Sequence, residues 1–307
     1  MKISIRPDNI PIGKFFPQPP IINTRQEIFQ FTKEILRKYA LKPKKSLGQH
    51  FMVDPNILYT YARTLSPYSF KNIVEIGPGP GTLTKLLRQG KFDNLTVIEK
   101  DPNFSIILEQ SYPDITVKNT DVLFMQSEFW QSKNCVVGNI PFEISSPLIY
   151  KLTKSRFFSK GNQVLILVQK EFALKMTGNA GTQNYGKLSV NVQLCTNPKI
   201  IAHFGPGSFY PPPKVASILI LLESKEEINP LVFESEFQTF LSIIFTRKNR
   251  TIRSMLINYA KHKKYMSNIE KVVNSDPFTA KRVKDIPPLG ILGLYKRIKP
   301  FLFYKEI

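Results

Sequence analysis

Residues 72–81 read Asn-Ile-Val-Glu-Ile-Gly-Pro-Gly-Pro-Gly and are followed by Thr-Leu-Thr-Lys-Leu-Leu up to residue 87. The β-branched run predicts a strand, the three alternate glycines predict a tight turn, and the residues after them predict a helix start. Glycine allows a positive φ and lets a ligand lie against the main chain without a Cβ in the way. The spacing is G-x-G-x-G, not the G-x-G-x-x-G of dinucleotide-binding folds, and alone it also fits an ordinary strand-to-helix turn.

Two further strands that end in carboxylates favour a ligand site over an ordinary turn. Residues 95–99 form the second predicted strand, and its last residue, Glu99, lies about 20 residues after Gly77. An acid in that place can accept hydrogen bonds from both hydroxyls of a ribose, and NAD or S-adenosylmethionine would satisfy it equally. Residues 115–121 form the third predicted strand, and Asp121 at its end is suited to accept a hydrogen bond from an adenine amino group.

The fourth predicted strand, residues 135–138, runs straight into Asn139-Ile140-Pro141-Phe142. A nicotinamide enzyme has no use for this sequence at a strand end, whereas a methyltransferase that acts on an amino group does. The side-chain carbonyl of Asn139 and the backbone carbonyl before or at Pro141 can accept both amino hydrogens and turn the lone pair toward a sulfonium methyl. Phe142 offers a face on which a flipped or single-stranded base can stack. The alternative is a proline turn with a packed phenylalanine.

Size and composition set limits on the class of protein. The chain has 307 residues, of which 42% are hydrophobic, enough for one large domain and a smaller second one. Cys135 and Cys195 fall in apolar runs and are typical of buried thiols in a reducing compartment. The three histidines are too few and too scattered for a metal site, so we expect no metal. No apolar run reaches about 18 residues, so we expect no membrane-spanning segment.

The net charge of +20 is concentrated at the two ends of the chain. Residues 1–45 contribute +7 and residues 246–307 contribute +11, so the middle of the chain is close to neutral. This distribution predicts a catalytic body flanked by surfaces that bind a polyanion, and nucleic acid is the partner that we expect. A generally basic proteome or selection for solubility is the alternative explanation.

A cluster of cations follows an amphipathic helix that the spacing of apolar residues predicts at 237–245. Arg247, Lys248, Arg250 and Arg253 lie at a predicted junction between two helices. We expect these four side chains to contact RNA phosphates, because the net charge favours a polyanionic partner. The alternative is a solvated face.

Eight sequence elements follow one another along the chain and together indicate a family. They are Ser-Leu-Gly-Gln-His-Phe at 46–51, Val-Glu-Ile-Gly-Pro-Gly at 74–79, Val-Ile-Glu at 97–99, Asp121, Gly-Asn-Ile-Pro-Phe at 138–142, Gln-Lys-Glu at 169–171, Tyr-Gly-Lys-Leu-Ser-Val at 185–190 and Phe-Tyr-Pro-Pro-Pro-Lys-Val-Ala-Ser at 209–217. In this order they resemble the rRNA adenine-N6 dimethyltransferases of the KsgA type. The resemblance extends from about residue 24 to about residue 256 and is weaker beyond.

By matching motifs, the resemblance implies a binding site for S-adenosylmethionine. His50 and Met52 would contact the methionine end of this cofactor, and Gly77 would form the turn beneath it. Glu99 would bind the ribose and Asp121 the adenine.

The resemblance also implies that Asn139, Pro141 and Phe142 are catalytic residues that hold the target base, with Asn139 shared between this set and the cofactor site. Many relatives have Asn in place of His50 and Tyr in place of Phe142. The second difference removes a hydroxyl but keeps the stacking face, so it does not count against activity. Relatives often carry Arg-x-Glu-x-Leu where this chain has residues 282–286. Lys284 replaces the acid of that motif, which weakens the match there.

We therefore expect an α/β chain with a Rossmann-like, S-adenosylmethionine-dependent methyltransferase fold. It should contain a seven-stranded, mostly parallel sheet, followed by a small C-terminal all-helical domain. The expected division is a proline-rich N-terminal arm at residues 1–23, flexible or lying on the surface, a methyltransferase domain at 24–225 and a helical RNA-binding domain at 226–307.

The function that the resemblance implies is methyl transfer to the N6 amine of adjacent adenosines in small-subunit rRNA, giving N6,N6-dimethyladenosine during ribosome biogenesis. The expected partner is small-subunit rRNA or a pre-ribosomal small subunit. We expect a monomer in the cytoplasm, with an organelle as the alternative location.

Two other functions stay open. An Erm-type methylase of large-subunit rRNA shares the Asn-Ile-Pro-aromatic element, but the triple proline at 211–213 and the motif at 185–189 argue against it. A non-catalytic ribosome-assembly factor or mitochondrial transcription factor could use the same fold. The intact Glu99, Asp121 and Asn139 argue against a loss of catalysis.

Overall fold

The computed structural model describes residues 12–261 and 266–302, apart from the side chains of Ser159 and Lys160. Nine strands occur in this part of the chain. They are β1 (Phe51–Met52), β2 (Asn72–Ile76), β3 (Asn94–Glu99), β4 (Thr116–Asn119), β5 (Cys135–Asn139), β6 (Gln163–Gln169), β7 (Thr196–Phe204), β8 (Phe209–Tyr210) and β9 (Ser217–Ser224).

Seven of these strands form one sheet with the order β4-β3-β2-β5-β6-β9-β7. The pairs from β4 to β6 are all parallel, and β9 runs antiparallel to β6. The predicted seven-stranded, mostly parallel sheet is therefore confirmed. The short strands β1 and β8 form a separate antiparallel pair.

Twelve α-helices connect and cover the strands in the described residues. They are α1 (Arg25–Lys38), α2 (Pro55–Leu65), α3 (Thr82–Leu87), α4 (Pro102–Ser111), α5 (Ser127–Gln131), α6 (Phe142–Lys154), α7 (Lys170–Met176), α8 (Lys187–Cys195), α9 (Ser235–Phe245), α10 (Ile252–Ala260), α11 (Met266–Ser275) and α12 (Pro288–Leu302). Thr24 caps the start of α1, because its hydroxyl accepts a hydrogen bond from the amide of Glu27 and the Glu27 carboxylate accepts one from the amide of Thr24.

The central strands are apolar on both faces, because elements cover the sheet on both sides. In β6 the five residues from Val164 to Val168 are buried, and in β5 the four residues from Cys135 to Gly138 are buried. Leu165 and Leu167 pack into a core cluster with Ile73, while the alternate residues of the strand face the opposite side. Burial on both faces fixes these strands in the middle of the sheet.

The described residues form two compact units. One lies within Met1–Ala173 and Lys199–Glu223, and the other lies within Leu174–Pro198 and Ser224–Ile307. The division predicted from the sequence, with boundaries after residues 23 and 225, stays a prediction. The compact units differ from it in assigning residues 174–198, and with them α8, to the unit that contains the C-terminal helices.

The second unit is built around the apolar face of α9. Phe237, Phe240, Leu241 and Ile244 are buried, which confirms the amphipathic helix predicted at this place. The ring of Tyr295 on α12 lies 5.0 Å from that of Phe237 and 5.4 Å from that of Phe240. This aromatic cluster holds the first and last helices of the C-terminal part together.

The N-terminal segment departs from the predicted flexible or surface arm. Residues 1–11 lie outside the described residues, but Phe15 and Phe16 are fully buried. The Phe15 ring packs edge-on against Phe70, and the Phe15 backbone pairs with Ser66 and Lys91. The prediction is wrong for this stretch because its proline content hid two aromatic side chains that complete the core of the first unit.

Glu75 in β2 is a buried acid beneath the glycine turn. Its carboxylate accepts a hydrogen bond of 2.7 Å from the hydroxyl of Thr84. Burial, opposed by the hydrogen bonds from Thr84 and helped by the neighbouring Glu99 carboxylate, raises the pKa of Glu75 to about 8. Close by, the buried hydroxyl of Tyr61 donates to the carbonyl oxygen of Gly138 at 2.9 Å. These two hydrogen bonds join α3 to β2, which the glycine turn follows, and α2 to β5, which ends at Asn139.

We expect Phe15→Ala to lower the free energy of unfolding by about 3–5 kcal/mol, the usual loss for a fully buried aromatic side chain. Urea denaturation of the full chain measures it. The matched control is Ile12→Ala, which truncates a side chain that is 67% exposed in the same segment and should change stability by less than about 0.5 kcal/mol. Equal losses for the two variants would contradict the anchored segment.

We expect Glu75→Gln to remove a pH dependence of stability. The folded protein keeps the Glu75 proton up to about pH 8, whereas the unfolded chain loses it near its ordinary pKa of 4.5. The contribution of Glu75 is therefore fully present below that value and is lost as the pH rises toward 8. Relative to Glu75→Gln, the parent protein should lose free energy of unfolding between about pH 5 and about pH 8. A pH-independent difference between the two proteins would refute the shifted pKa.

Candidate active site

A cleft of about 190 Å³ opens at the carboxyl ends of β2, β3 and β5, where parallel strands of an open sheet present ligand-binding loops. The six residues predicted to bind cofactor all line it. They are His50, Met52, Gly77, Glu99, Asp121 and Asn139. The fold thus brings together residues that are scattered over the first half of the chain, and their binding role stays a prediction.

The glycine turn forms the floor of the cleft. Gly77 has a φ of +65°, and its amide donates to the carbonyl oxygen of Ile98 in the neighbouring strand. Gly79 has a φ of +53°, and a Cβ on it would lie 3.0 Å from the ring of Phe51. Both positions therefore require glycine, Gly77 for its backbone angle and Gly79 also for the close packing of Phe51.

Glu99 lies at the end of β3 with only 6% of its surface exposed. Its two carboxylate oxygens accept hydrogen bonds from two backbone amides, that of Gly79 at 3.0 Å and that of Asp101 at 2.8 Å. Burial raises the pKa of Glu99, and the two amide hydrogen bonds act in the opposite direction. Each oxygen has one further lone pair, so the carboxylate can still accept two ligand hydroxyls.

Asp121 is tied to a lysine that the sequence reading missed. One carboxylate oxygen accepts from the amide of Leu123 at 2.9 Å and the other from the Lys100 ammonium at 2.9 Å. Desolvation raises the pKa of Asp121, but the hydrogen bonds from Leu123 and Lys100 outweigh it, and the net pKa is lowered. Asp121 is therefore an ionised acceptor at neutral pH, held in a fixed orientation on the wall of the cleft.

Asn139 at the end of β5 has its side chain oriented by the loop before β1. Its Nδ2 donates to the carbonyl oxygen of His50 at 2.6 Å, and this bond fixes which side of the amide is the donor. The Oδ1 atom of Asn139 has no hydrogen-bond donor among residues 12–261 and 266–302. An oriented acceptor therefore lies where the sequence predicts that the amino group of the target base binds.

A second, smaller cavity adjoins the cleft and shares four of its lining residues, Gly48, His50, Asn139 and Pro141. Phe142 and Phe209 also line it. The rings of His50 and Phe142 are 6.3 Å apart and within 28° of parallel. Two aromatic faces and one oriented amide therefore line this cavity, and these are the kinds of group that contact an unstacked base with an amino group.

Two backbone carbonyls, those of Ile140 and Pro141, are the predicted possible acceptors for the second hydrogen of the target amine, and their hydrogen bonds distinguish them. The carbonyl oxygen of Pro141 already accepts from the amide of Ile144 at 3.2 Å and from the hydroxyl of Ser145 at 3.1 Å. In the described part of the chain, no donor reaches the carbonyl oxygen of Ile140. Of the two backbone carbonyls that the sequence reading left open, that of Ile140 is the available one.

Thr82 is a further cleft residue that the sequence reading did not single out. It is the first residue of α3, is 7% exposed and lines the cleft. Its hydroxyl is buried and has no hydrogen-bond partner among the residues that the structure describes. A buried polar atom without a partner is costly, and a ligand with a polar group here would relieve that cost.

The four cations predicted to bind RNA divide into two kinds. Arg247, Arg250 and Arg253 are exposed, and none has an ion-pair partner within the described ranges. Lys248 is half-buried, and its ammonium donates to two backbone carbonyls, those of Gln183 at 2.6 Å and of Tyr185 at 3.0 Å. The arginines are free to meet phosphates, while Lys248 holds a loop of its own unit in place. Their binding to RNA stays a prediction.

The described residues contain neither a cluster of metal ligands nor a membrane-spanning helix. No group of three or more His, Cys, Asp or Glu side chains there could hold a metal ion. No helix in those ranges is both long enough and apolar enough to cross a membrane.

Curated relatives cover most of the chain. A probable ribosomal RNA small subunit methyltransferase A from Pyrococcus furiosus is 31% identical over 287 residues, 91% of this chain and 97% of the relative. A ribosomal RNA small subunit methyltransferase A from Alkaliphilus oremlandii is 34% identical over 237 residues, 73% of this chain and 81% of the relative.

Solved structures share the fold. A dimethyladenosine transferase from Plasmodium falciparum is 26% identical with a TM-score of 0.66, covering 81% of this chain and 98% of that one. The 23S rRNA methyltransferase ErmE is 20% identical with a TM-score of 0.53, covering 91% of this chain and 99% of that one, and this likeness concerns the fold alone. The predicted methyltransferase fold is confirmed. Residues 40–290 match the family described as ribosomal RNA adenine dimethylase, and this chain belongs to that family.

Proposed function

We propose that this protein transfers two methyl groups from S-adenosylmethionine to the N6 amine of each of two adjacent adenosines in small-subunit rRNA. The observation that carries this proposal is the Oδ1 of Asn139 at the junction of the two cavities, which is oriented and has no donor within residues 12–261 and 266–302. That acceptor would hold an amine of one ligand directly beside a second ligand in the cleft. The relatives named for small-subunit rRNA support the substrate class.

The residues of the cleft fit S-adenosylmethionine. Glu99 has acceptor capacity for both ribose hydroxyls, and Asp121 can accept from the adenine amine. The buried hydroxyl of Thr82 would gain a partner, and Gly77 leaves the floor open to the ligand. When bound, the cofactor supplies a methyl group on a positively charged sulfur.

Asn139 would act by positioning the target amine. Because its Nδ2 is committed to His50, its Oδ1 accepts one amino hydrogen, and the carbonyl oxygen of Ile140 accepts the other. Both amino hydrogens are then held, and the nitrogen lone pair turns out of conjugation with the ring toward the cleft. No general base is required, since the amine becomes acidic only after it has received the methyl group.

Phe142 would hold the base by stacking. Its ring is partly exposed at the start of α6, and its partner across the small cavity is the near-parallel ring of His50. The Nδ1 atom of His50 donates to the carbonyl oxygen of Pro211 at 2.7 Å, so the imidazole cannot turn freely. Stacking of this kind contributes about 1–3 kcal/mol per base.

The chain would work as a monomer on rRNA or on an assembling small subunit, in the cytoplasm or in an organelle. Dimethyladenosine mapping on both rRNAs, with and without the protein, tests the substrate. Modification confined to the small-subunit rRNA supports the proposal. Modification of the large-subunit rRNA would indicate the Erm-type alternative, and no modification would indicate a non-catalytic role.

We expect Asn139→Ala to lower the single-turnover rate of methylation by about 10²–10³, the usual loss for one preorganised polar group at a reacting centre. The assay uses saturating S-adenosylmethionine, so that a weaker affinity for this cofactor does not lower the measured rate. Phe142→Ala is the contrasting variant, because it should weaken RNA capture by about 1–3 kcal/mol. Phe142→Tyr keeps the stacking face and should behave like the parent. A parental rate for Asn139→Ala would overturn the positioning mechanism.

We expect neutralisation of Arg247, Arg250 and Arg253 to glutamine to flatten the salt dependence of RNA affinity. Each phosphate contact that is lost should reduce the slope of log K against log salt by about 1. The control replaces Arg63, Lys71 and Lys91, three exposed cations of the first unit, with glutamine and removes the same charge. If both triple variants flatten the slope equally, the arginines have no special role and the effect is one of net charge.

A further inference from the structure

The loop of residues 44–50 covers one side of the cofactor cleft, and we call it the lid. It contains a 3₁₀ turn at Lys45–Leu47 and a left-handed Gly48 with a φ of +61°. Residues 46–50 of the lid line the cleft. The lid also approaches the catalytic segment, because a Cβ on Gly48 would lie 3.1 Å from the Cβ of Pro141.

One buried carboxylate holds the lid against the sheet. Asp101, which is 2% exposed, accepts from the Lys44 ammonium at 2.9 and 3.0 Å on its two oxygens and from Nε2 of Gln49 at 3.0 Å. The Oε1 atom of the same Gln49 accepts from the amide of Lys44 at 2.8 Å. Gln49 therefore makes a hydrogen bond within the lid and another to the carboxylate of Asp101. For the lid to move away from the sheet, Asp101 must lose its hydrogen bonds to both Lys44 and Gln49.

Asp101 is also joined to the ribose-binding position. Its amide donates to Glu99 Oε1 at 2.8 Å, and its carboxylate caps α4 by accepting from the amide of Asn103 at 3.2 Å. A single residue thus connects the lid, the start of α4 and the acid at the end of β3. A shift of the lid that moves Asp101 would therefore also move one of the two amides that donate to Glu99.

We propose that Asp101, paired with Lys44 and Gln49, is a latch that keeps the lid closed and sets the rate of cofactor exchange. The inference rests on the proposed function for the identity of the ligand. It names a positioning residue, since Asp101 acts through the lid and Glu99 and does not line the cleft itself.

The proposed reaction requires cofactor exchange, the step that the latch would control. Two methyl groups on one amine require two cofactor molecules, so the spent cofactor must leave between the two transfers. The far end of the lid is held separately, because His50 accepts from Asn139 through its carbonyl and donates to Pro211 through its ring. Opening at Lys44 and Gln49 would release the cofactor while the groups around the target base keep their places.

Asp101→Asn in the full chain tests the latch. Asparagine caps a helix as well as aspartate does, so α4 stays intact while the charge that binds Lys44 is lost. Two results are expected. Dissociation of radiolabelled S-adenosylmethionine should be about tenfold faster, and amide hydrogen exchange in residues 44–50 of the cofactor-free protein should be faster as well. The matched control is Asp114→Asn, which removes the partner of Arg88 in an exposed ion pair and should change neither result.

Lys44→Met should reproduce both effects, and the double variant should be no worse than either single one, because all three lose the same ion pair. High salt should speed dissociation from the parent and leave Asp101→Asn nearly unchanged. Unchanged hydrogen exchange in residues 44–50 of Asp101→Asn, or additive effects in the double variant, would overturn the latch. The exchange measurement needs no cofactor, so it stands even if the proposed reaction is wrong. Faster exchange without measurable S-adenosylmethionine binding would instead contradict the proposed function.

Discussion

The carboxylate of Glu99, held between the amides of Gly79 and Asp101, is the interaction on which the cofactor half of the site depends. A buried acid is stable only when its oxygens have donors, and here both donors are main-chain groups of neighbouring segments. The glycine turn after β2 and the start of α4 are therefore fixed relative to each other by one side chain. The same side chain keeps a lone pair free on each oxygen, so the group that builds the cleft is also the one that can bind a ligand.

Asn139 plays a corresponding part in the other half. Its amide could present either end to the cavity, and the hydrogen bond to the His50 carbonyl decides the matter, because only Nδ2 can donate to it. The main chain of the lid thus decides which end of the Asn139 amide faces the cavity. Removing the lid contact would leave Asn139 in the same place but without a defined direction, which a positioning mechanism does not tolerate.

The sequence predicted what local patterns determine, namely the sheet, the helix α9, the strand-end residues that meet in the cleft and the family. It could not predict pairings between distant segments. Lys44 contributes to the positive charge of residues 1–45, but nothing near it in the sequence indicates its ion pair with the buried Asp101, and the pairing of Lys100 with Asp121 is likewise not evident from local patterns. Phe15 was hidden in a proline-rich stretch for the same reason: the core that buries it is formed by residues that are far away in the chain.

His50 shows why the two halves of the site act together. It lines both the cleft and the smaller cavity, its ring is fixed by Pro211, and its carbonyl orients Asn139. The residue before it, Gln49, is bound to Asp101 and through it to Glu99. A continuous series of hydrogen bonds therefore joins Glu99 to the side-chain amide of Asn139 through the backbone of one short loop. The two ends of the loop have separate partners, Asp101 at Lys44 and Gln49, and Asn139 and Pro211 at His50. Opening at the Asp101 end would therefore leave Asn139 oriented, so that a second cofactor could bind beside an amine that is still held in place.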